Sequence, residues 1–189
     1  MSLGRFRLRI MSSAAITALV SSSTVAQGVR NTSYTLASGG RVLRQEGELP
    51  APVDSVWRVL TTSEGLQSFL AASVWFDLRI GGRWETAHSA DAVRGDPGNI
   101  VNEVLAYVPN EMLAVRVVQA TPNFVHPEIA KQAWTVYQLQ ALDERRTKLT
   151  VSMLGWPSGA AADSVYRFFE RGNAYTMRQL QQRFSKPRP

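Results

Sequence analysis

The hydrophobic period of the chain changes several times, and each change marks an element. Over residues 41–48 apolar and polar side chains partly alternate, the pattern of a strand with one face covered. Pro50-Ala51-Pro52 then stops the strand and places a proline where a helix can begin. Val53, Val56, Trp57 and Leu60 recur at helical spacing, which predicts one short amphipathic helix. A second follows, with Ser63 as its cap and Leu66, Phe69 and Leu70 on its apolar face.

Strand-like segments then resume. Residues 74–79 and 83–88 read as a hairpin around Ile80-Gly81-Gly82, because paired glycines permit backbone angles closed to other residues. A polar loop, 89–98, closes on Gly95-Asp96-Pro97-Gly98 and leads into a strand from 99 to 107. Pro109-Asn110 turns the chain into another, 112–119. Residues 120–131 hold Pro122 and Pro127 without a clear period, which predicts a long irregular connection over the mouth of any cavity. Two more strands, 133–142 and 148–156, turn at residues 143–146. After Pro157-Ser158-Gly159, Val165, Phe169, Gly172, Thr176, Leu180 and Phe184 recur every three or four residues over about six turns. Phe168 and Met177 widen that face, and only a sheet is large enough to cover it. The expected fold is therefore α+β: a curved antiparallel sheet of six to seven strands around a long C-terminal helix, with two short helices after the first strand. This domain is expected over residues 41–186.

What precedes it has a different character. Residues 1–26 comprise a basic stretch to Arg9, an apolar stretch from Ile10 to Val20, and Ser21-Ser22-Ser23-Thr24-Val25-Ala26, the three parts of a secretory signal peptide. The small residues Thr24 and Ala26 place the cut after Ala26, so the mature protein is expected to be exported, periplasmic or secreted. The apolar run is only about half of the ~20 residues of a membrane-spanning helix, so no stable span is expected after cleavage. An organelle transit peptide is the alternative, since the segment is Arg-rich, Ser-rich and free of acids. Residues 27–40 are polar and read as a spacer.

The address segment also changes the charge. The chain carries a formal +6, but Arg5, Arg7 and Arg9 leave with the signal, and 18 basic residues then face 15 acidic ones, a net +3. The remaining Arg and Lys are scattered, which argues against a nucleic-acid partner. With no cysteine there is no disulfide framework, thiolate metal site or cysteine nucleophile. An apolar share of 44% suffices for one real core.

Candidate chemistry is sparse. The two histidines, His88 and His126, would have to converge with a carboxylate such as Glu85, Glu103 or Glu128 to hold a metal, and no i, i+4 pairing supports that; no metal is expected. There is no Gly-x-Ser-x-Gly, no Gly-x-Gly-x-x-Gly and no phosphate loop, so no nucleotide cofactor is expected. On alternation, Trp84, Thr86 and His88 share the inner face of one strand, leaving Arg83 and Glu85 on a solvated outer face. By the same rule Ile100, Asn102 and Val104 face inward, as do Leu113, Val115 and Val117, then Trp134, Val136 and Gln138, and finally Leu149, Val151 and Met153. With Phe169 and Asn173 from the helix, this mixed apolar and polar lining is that of a small-molecule pocket, its rival being a filled core.

The run Asp77-Leu78-Arg79-Ile80-Gly81-Gly82-Arg83-Trp84 resembles a hallmark of the START-like, or SRPBCC, superfamily, in the branch of activator of Hsp90 ATPase homologues. Pro52-Val53-Asp54-Ser55-Val56-Trp57 resembles that branch's opening helix, and 98–104 with Pro109-Asn110-Glu111-Met112-Leu113 its central hairpin. The resemblance implies the helix-grip fold, seven strands curled round the last helix, often with a pocket for an apolar ligand, among lipid carriers, plant hormone receptors and polyketide cyclases. One departure is that Phe69 and Leu70 stand where the family often has a tryptophan. Another is that an exported chain could not meet the cytosolic chaperone.

Three functions are then expected in order. The first is non-catalytic binding of a small hydrophobic or amphipathic molecule in the cell envelope. The second is a cyclase- or dehydratase-like enzyme acting on an aromatic or polyketide substrate, with His88 or Glu103 moving a proton. The third is a protein-interaction module that uses the 120–131 segment.

Overall fold

The computed structural model of the protein describes residues 28–186. The signal segment 1–26 lies outside them.

All strand pairings are antiparallel, and together they form one curved sheet. Its long members are β3 (Arg41–Leu49), β6 (Ile100–Val108), β7 (Met112–Gln119), β8 (Trp134–Asp143) and β9 (Arg146–Leu154), with the shorter β4 (Ser73–Phe76) and β5 (Arg83–Ala87) at one side. These seven match the expected number. Two further two-residue strands, β1 (Arg30–Asn31) and β2 (Tyr34–Thr35), lie in the stretch read as spacer, and both pair with β3. Asn31 also donates to Glu170 Oε1 at 2.5 Å, so this end of the chain is tied across to the last helix. Bulges in β6, between Val101 and Asn102 and between Val104 and Ala106, bend the ladder and help the sheet wrap.

Between β3 and β4 run α1 (Val53–Thr61) and α2 (Ser63–Gln67). Pro52, with φ −59°, stands at the N-cap of α1, and Val56, Val59 and Leu60 are its buried face. The cap of α2 is Thr62, not Ser63: Thr62 Oγ1 accepts from the Gly65 amide at 3.1 Å. The Ser63 hydroxyl instead accepts from the Phe76 amide at 3.0 Å, stitching α2 to β4. The 120–131 connection contains only a single helical turn, α3 (Pro127–Ala130).

The last helix, α4 (Ala160–Ser185), has 26 residues and spans about 39 Å at 1.5 Å per residue. Its buried apolar residues fall at its two ends, Ala162 and Val165 near the start, Met177 and Leu180 near the finish. At the first end they join Leu43, Met153 and Trp156; at the second they join Leu49, Leu60, Leu149 and Val151. Gly47 on β3 allows the close approach, because a Cβ there would stand 3.3 Å from Gln181 Nε2 and 3.4 Å from Met177 Cε. Gln181 donates to the Glu48 carbonyl at 3.0 Å, and Gln45 donates to the Glu170 carbonyl at 2.9 Å. No residue from Tyr166 to Thr176 is buried. The helix packs into the core at both ends and is tied to β3 along one side at Glu170, while its other side between Tyr166 and Thr176 faces open space.

Candidate functional site

The space beneath the middle of α4 is a cavity of ≈ 420 Å³, a size typical of small-molecule sites. Strand β5 contributes Trp84 and Thr86, with His88 just beyond its end. Ile100 and Asn102 come from β6, Val117 from β7, and Thr135 and Tyr137 from β8. The helix supplies Phe168, Phe169, Gly172, Asn173 and Thr176, and Thr121, Phe124 and Ala130 of the 120–131 connection complete the wall. That connection does lie at the cavity. A recess of ≈ 40 Å³ shares Leu70, Trp84, Tyr137, Asn173 and Thr176 with the main space and is otherwise walled by apolar residues such as Leu60, Leu66, Phe69 and Leu180. Phe69 and Leu70 therefore shape this inner end.

The expected inner faces are found on four strands. Trp84, Thr86, His88, Asn102, Phe169 and Asn173 all line the cavity. Val115 and Met153 are each 1% exposed and belong to the packed core behind it; Asn173 Nδ2 lies 3.3 Å from Met153 Sδ. His88 is exposed, so it sits at the rim rather than inside.

Strand β8 is the exception. Trp134, Val136 and Gln138 face away from the cavity: they pair with Arg116, Ala114 and Met112, whereas Thr135 and Tyr137 pair with the inward Val115 and Leu113. The cause is a bulge between Ala141 and Asp143 in the β8–β9 hairpin. Counting back from the Asp143↔Arg146 pair without it would set Gln138 opposite Val151 and Val136 opposite Met153. The bulge removes one step, so Tyr137 opposes Val151 and Thr135 opposes Met153. Since side chains alternate with period two, one residue of slip exchanges the faces of the whole strand. Both faces of β8 carry apolar side chains, so alternation alone held no signal for Tyr137.

Two acidic residues are also placed differently from expectation. Glu103 is on the outer face, opposite Arg83, and binds Arg116 Nη2 at 3.0 Å, which removes it as a proton carrier for anything in the cavity. Glu85 is not solvated but 2% exposed. The 89–99 loop folds over it, and its Oε1 accepts from the Gly95 amide at 2.5 Å and from Asn99 Nδ2 at 2.6 Å. His126 lies 3.4 Å from Glu128, apart from His88, and among the described residues no three metal-ligating side chains come together.

The cavity is an uncharged environment. Among the described residues no Asp, Glu, Lys or Arg lines it, and the titratable groups that do are His88 and Tyr137. Burial pushes the Tyr137 phenol up to about 12, because the phenolate would lose its hydration there. Trp84 is edge-on to Phe76, with ring centroids 5.7 Å apart, and tilted against Tyr137 at 6.1 Å. Its Nε1 is buried without a hydrogen-bond partner. At the other side Phe124, Phe168 and Phe169 form a mutual cluster with centroids 5.1 to 6.1 Å apart. Such a site is built to surround an apolar body and meet a few polar groups; it lacks a paired acid and base.

A curved antiparallel sheet gripping a C-terminal helix over an internal cavity defines the helix-grip class. Within it, the family model for the activator of Hsp90 ATPase homolog 1-like proteins matches residues 50–185, and the chain belongs to that family. Among solved structures, protein MLL2253 from Mesorhizobium loti is 18% identical, with 79% of this chain and 100% of that one covered at a TM-score of 0.61. CalU16 from Micromonospora echinospora is 17% identical over 86% and 88% of the two chains, TM-score 0.59. The Aha1 dimer from Colwellia psychrerythraea is 14% identical over 76% and 95%, also at 0.59. These likenesses establish the fold. No curated protein sequence matches the chain.

Proposed function

We propose that this protein binds a small apolar or amphipathic molecule in the cavity between the sheet and α4, and that it does so in the cell envelope after removal of residues 1–26. The observation behind the binding reading is the ≈ 420 Å³ space walled by Trp84, Phe124, Phe168 and Phe169 together with Asn102, Thr135 and Tyr137, whose side chains make no hydrogen bond to another described residue. The buried apolar residues of α4 lie at its two ends, and this volume lies between them, which supports the pocket reading over that of a filled core. Among the described residues no helix is long and apolar enough to cross a membrane. The basic, apolar and small-residue sequence of segment 1–26 supports export.

The test is native mass spectrometry and solvent extraction of protein purified from its own envelope fraction. A bound small molecule and a mature N-terminus at Gln27 are expected. An empty protein whose tryptophan emission is unmoved by an apolar dye would refute binding, and a full-length N-terminus in the cytosol would refute export. The enzymatic alternative now rests on His88 alone, at the cavity rim. A bell-shaped pH–rate profile abolished in His88→Ala is the result it requires.

A further inference from the structure

Resting on the binding reading above, we propose that the cavity selects a neutral, carbonyl-bearing aromatic molecule over a carboxylate, with the carbonyl oxygen accepting a hydrogen bond from the Tyr137 hydroxyl. The class follows from three properties of the wall.

The first is charge. A carboxylate entering this space would shed its hydration without meeting a Lys or Arg side chain, since among the described residues none lines either the cavity or its recess. Burying an unpaired ion is among the most costly events in recognition. His88 is exposed at the rim, and Arg171 lines a neighbouring pocket rather than this cavity. The absence of Asp and Glu from the wall disfavours an amine for the same reason.

The second is the direction of the unsatisfied hydrogen bonds. The side chains of Thr86, Asn102, Thr135, Tyr137 and Thr176 line the cavity, and none makes a hydrogen bond to another described residue. Tyr137, whose ring stands 6.1 Å from that of Trp84, remains a protonated phenol at physiological pH and so can donate. An oxygen acceptor that brings no charge is the complement of this wall.

The third is shape. Trp84 and Tyr137 on one side, and Phe124, Phe168 and Phe169 on the other, present rings to the space, which suits a flat apolar body.

Three ligands of one skeleton test this: 2-acetylnaphthalene, 2-naphthoate and 2-ethylnaphthalene, titrated into the delipidated protein. The ketone is expected to bind roughly 3- to 10-fold more tightly than the ethyl compound, the increment of one hydrogen bond, and at least tenfold more tightly than the naphthoate. Tyr137→Phe should bring the ketone to the level of 2-ethylnaphthalene while leaving the latter unchanged. Naphthoate binding as tightly as the ketone overturns the proposal, and that comparison needs no variant to fold. A ketone advantage that survives Tyr137→Phe overturns the role of Tyr137. If 2-ethylnaphthalene binds and the ketone gains nothing over it, the class assignment falls and the cavity reading stands. If none of the three binds, both fall.

Discussion

Asn99 Nδ2 donates to the buried Glu85 Oε1 at 2.6 Å, and the same amide donates to the Val93 carbonyl at 2.9 Å. This residue thereby pins the 89–99 loop to the outer face of β5, with the Gly95 amide as the second donor to the carboxylate. Truncating Asn99 removes one of the two donors to the buried carboxylate and one of the two to the Val93 carbonyl, and a hydrogen bond to a charged group is among the stronger ones. Asn99→Ala should therefore lower the unfolding free energy by about 1–3 kcal/mol in a denaturant titration. Glu85→Gln, which keeps an oxygen acceptor, should cost less. Equal losses would show that the loop is not held by this contact.

The two glycines of the β4–β5 turn should respond differently. Gly81 has φ +74° and nothing within 4 Å of a built Cβ, so Gly81→Ala meets only the left-handed backbone penalty, about 1–2 kcal/mol. A Cβ on Gly82 would collide with the backbone oxygens of Asp77 and Arg79. Because Gly82 also accepts from the Val104 amide and Gly81 donates to the Val104 carbonyl, the turn is fastened to β6 and cannot simply move away. Gly82→Ala should destabilise by about 3 kcal/mol or more, a larger loss than at Gly81 in parallel thermal melts.

The faces of β7 and its partner β8 can be read by substitution. Val115, 1% exposed and paired with Thr135, should lose about 2 kcal/mol on truncation to Ala. Gln138→Ala, on the exposed face, should stay within about 0.5 kcal/mol of the parent. Trp134→Phe should leave ligand-induced changes in tryptophan emission intact, because Trp84 is the tryptophan on the cavity wall. Loss of that response on Trp134→Phe would reverse the assignment.

Stability should fall in strong alkali for a reason located at Tyr137. Its folded-state value of about 12 exceeds the ordinary 10.0, so above pH 10 the unfolded chain releases a proton that the folded chain retains. The stabilisation is complete below pH 10 and disappears as pH rises through about 12, amounting to roughly 3 kcal/mol at full loss. Tyr137→Phe should flatten that part of the stability–pH curve, as followed by urea titrations at successive pH values. An unchanged slope would mean that other groups dominate.

Local pattern sufficed for much of this molecule. The 3.6-residue period of Val165, Phe169, Thr176 and Leu180, the glycine turn before Trp84, and the strand-like runs joined by short links are properties of neighbouring residues, and they led directly to a helix gripped by an antiparallel sheet. The inner faces of β5, β7 and β9 followed from alternation, since on each of them one parity is the more apolar; on β6 the two parities are closely matched, and Ile100, Asn102 and Val104 face inward because of its pairing with β5 and β7. What lay beyond local pattern were choices between equivalent local states. Two faces of β8 were nearly matched in hydrophobicity, and a single bulge before Asp143 chose Tyr137 over Val136. Glu85 looked like an outer charge until the 89–99 loop supplied two donors from above, and residues 30–35 looked like a spacer until β3 offered them partners. Alternation assigns parity within a strand, but register and loop packing are settled by contacts between distant segments, whose energies no single stretch of sequence contains.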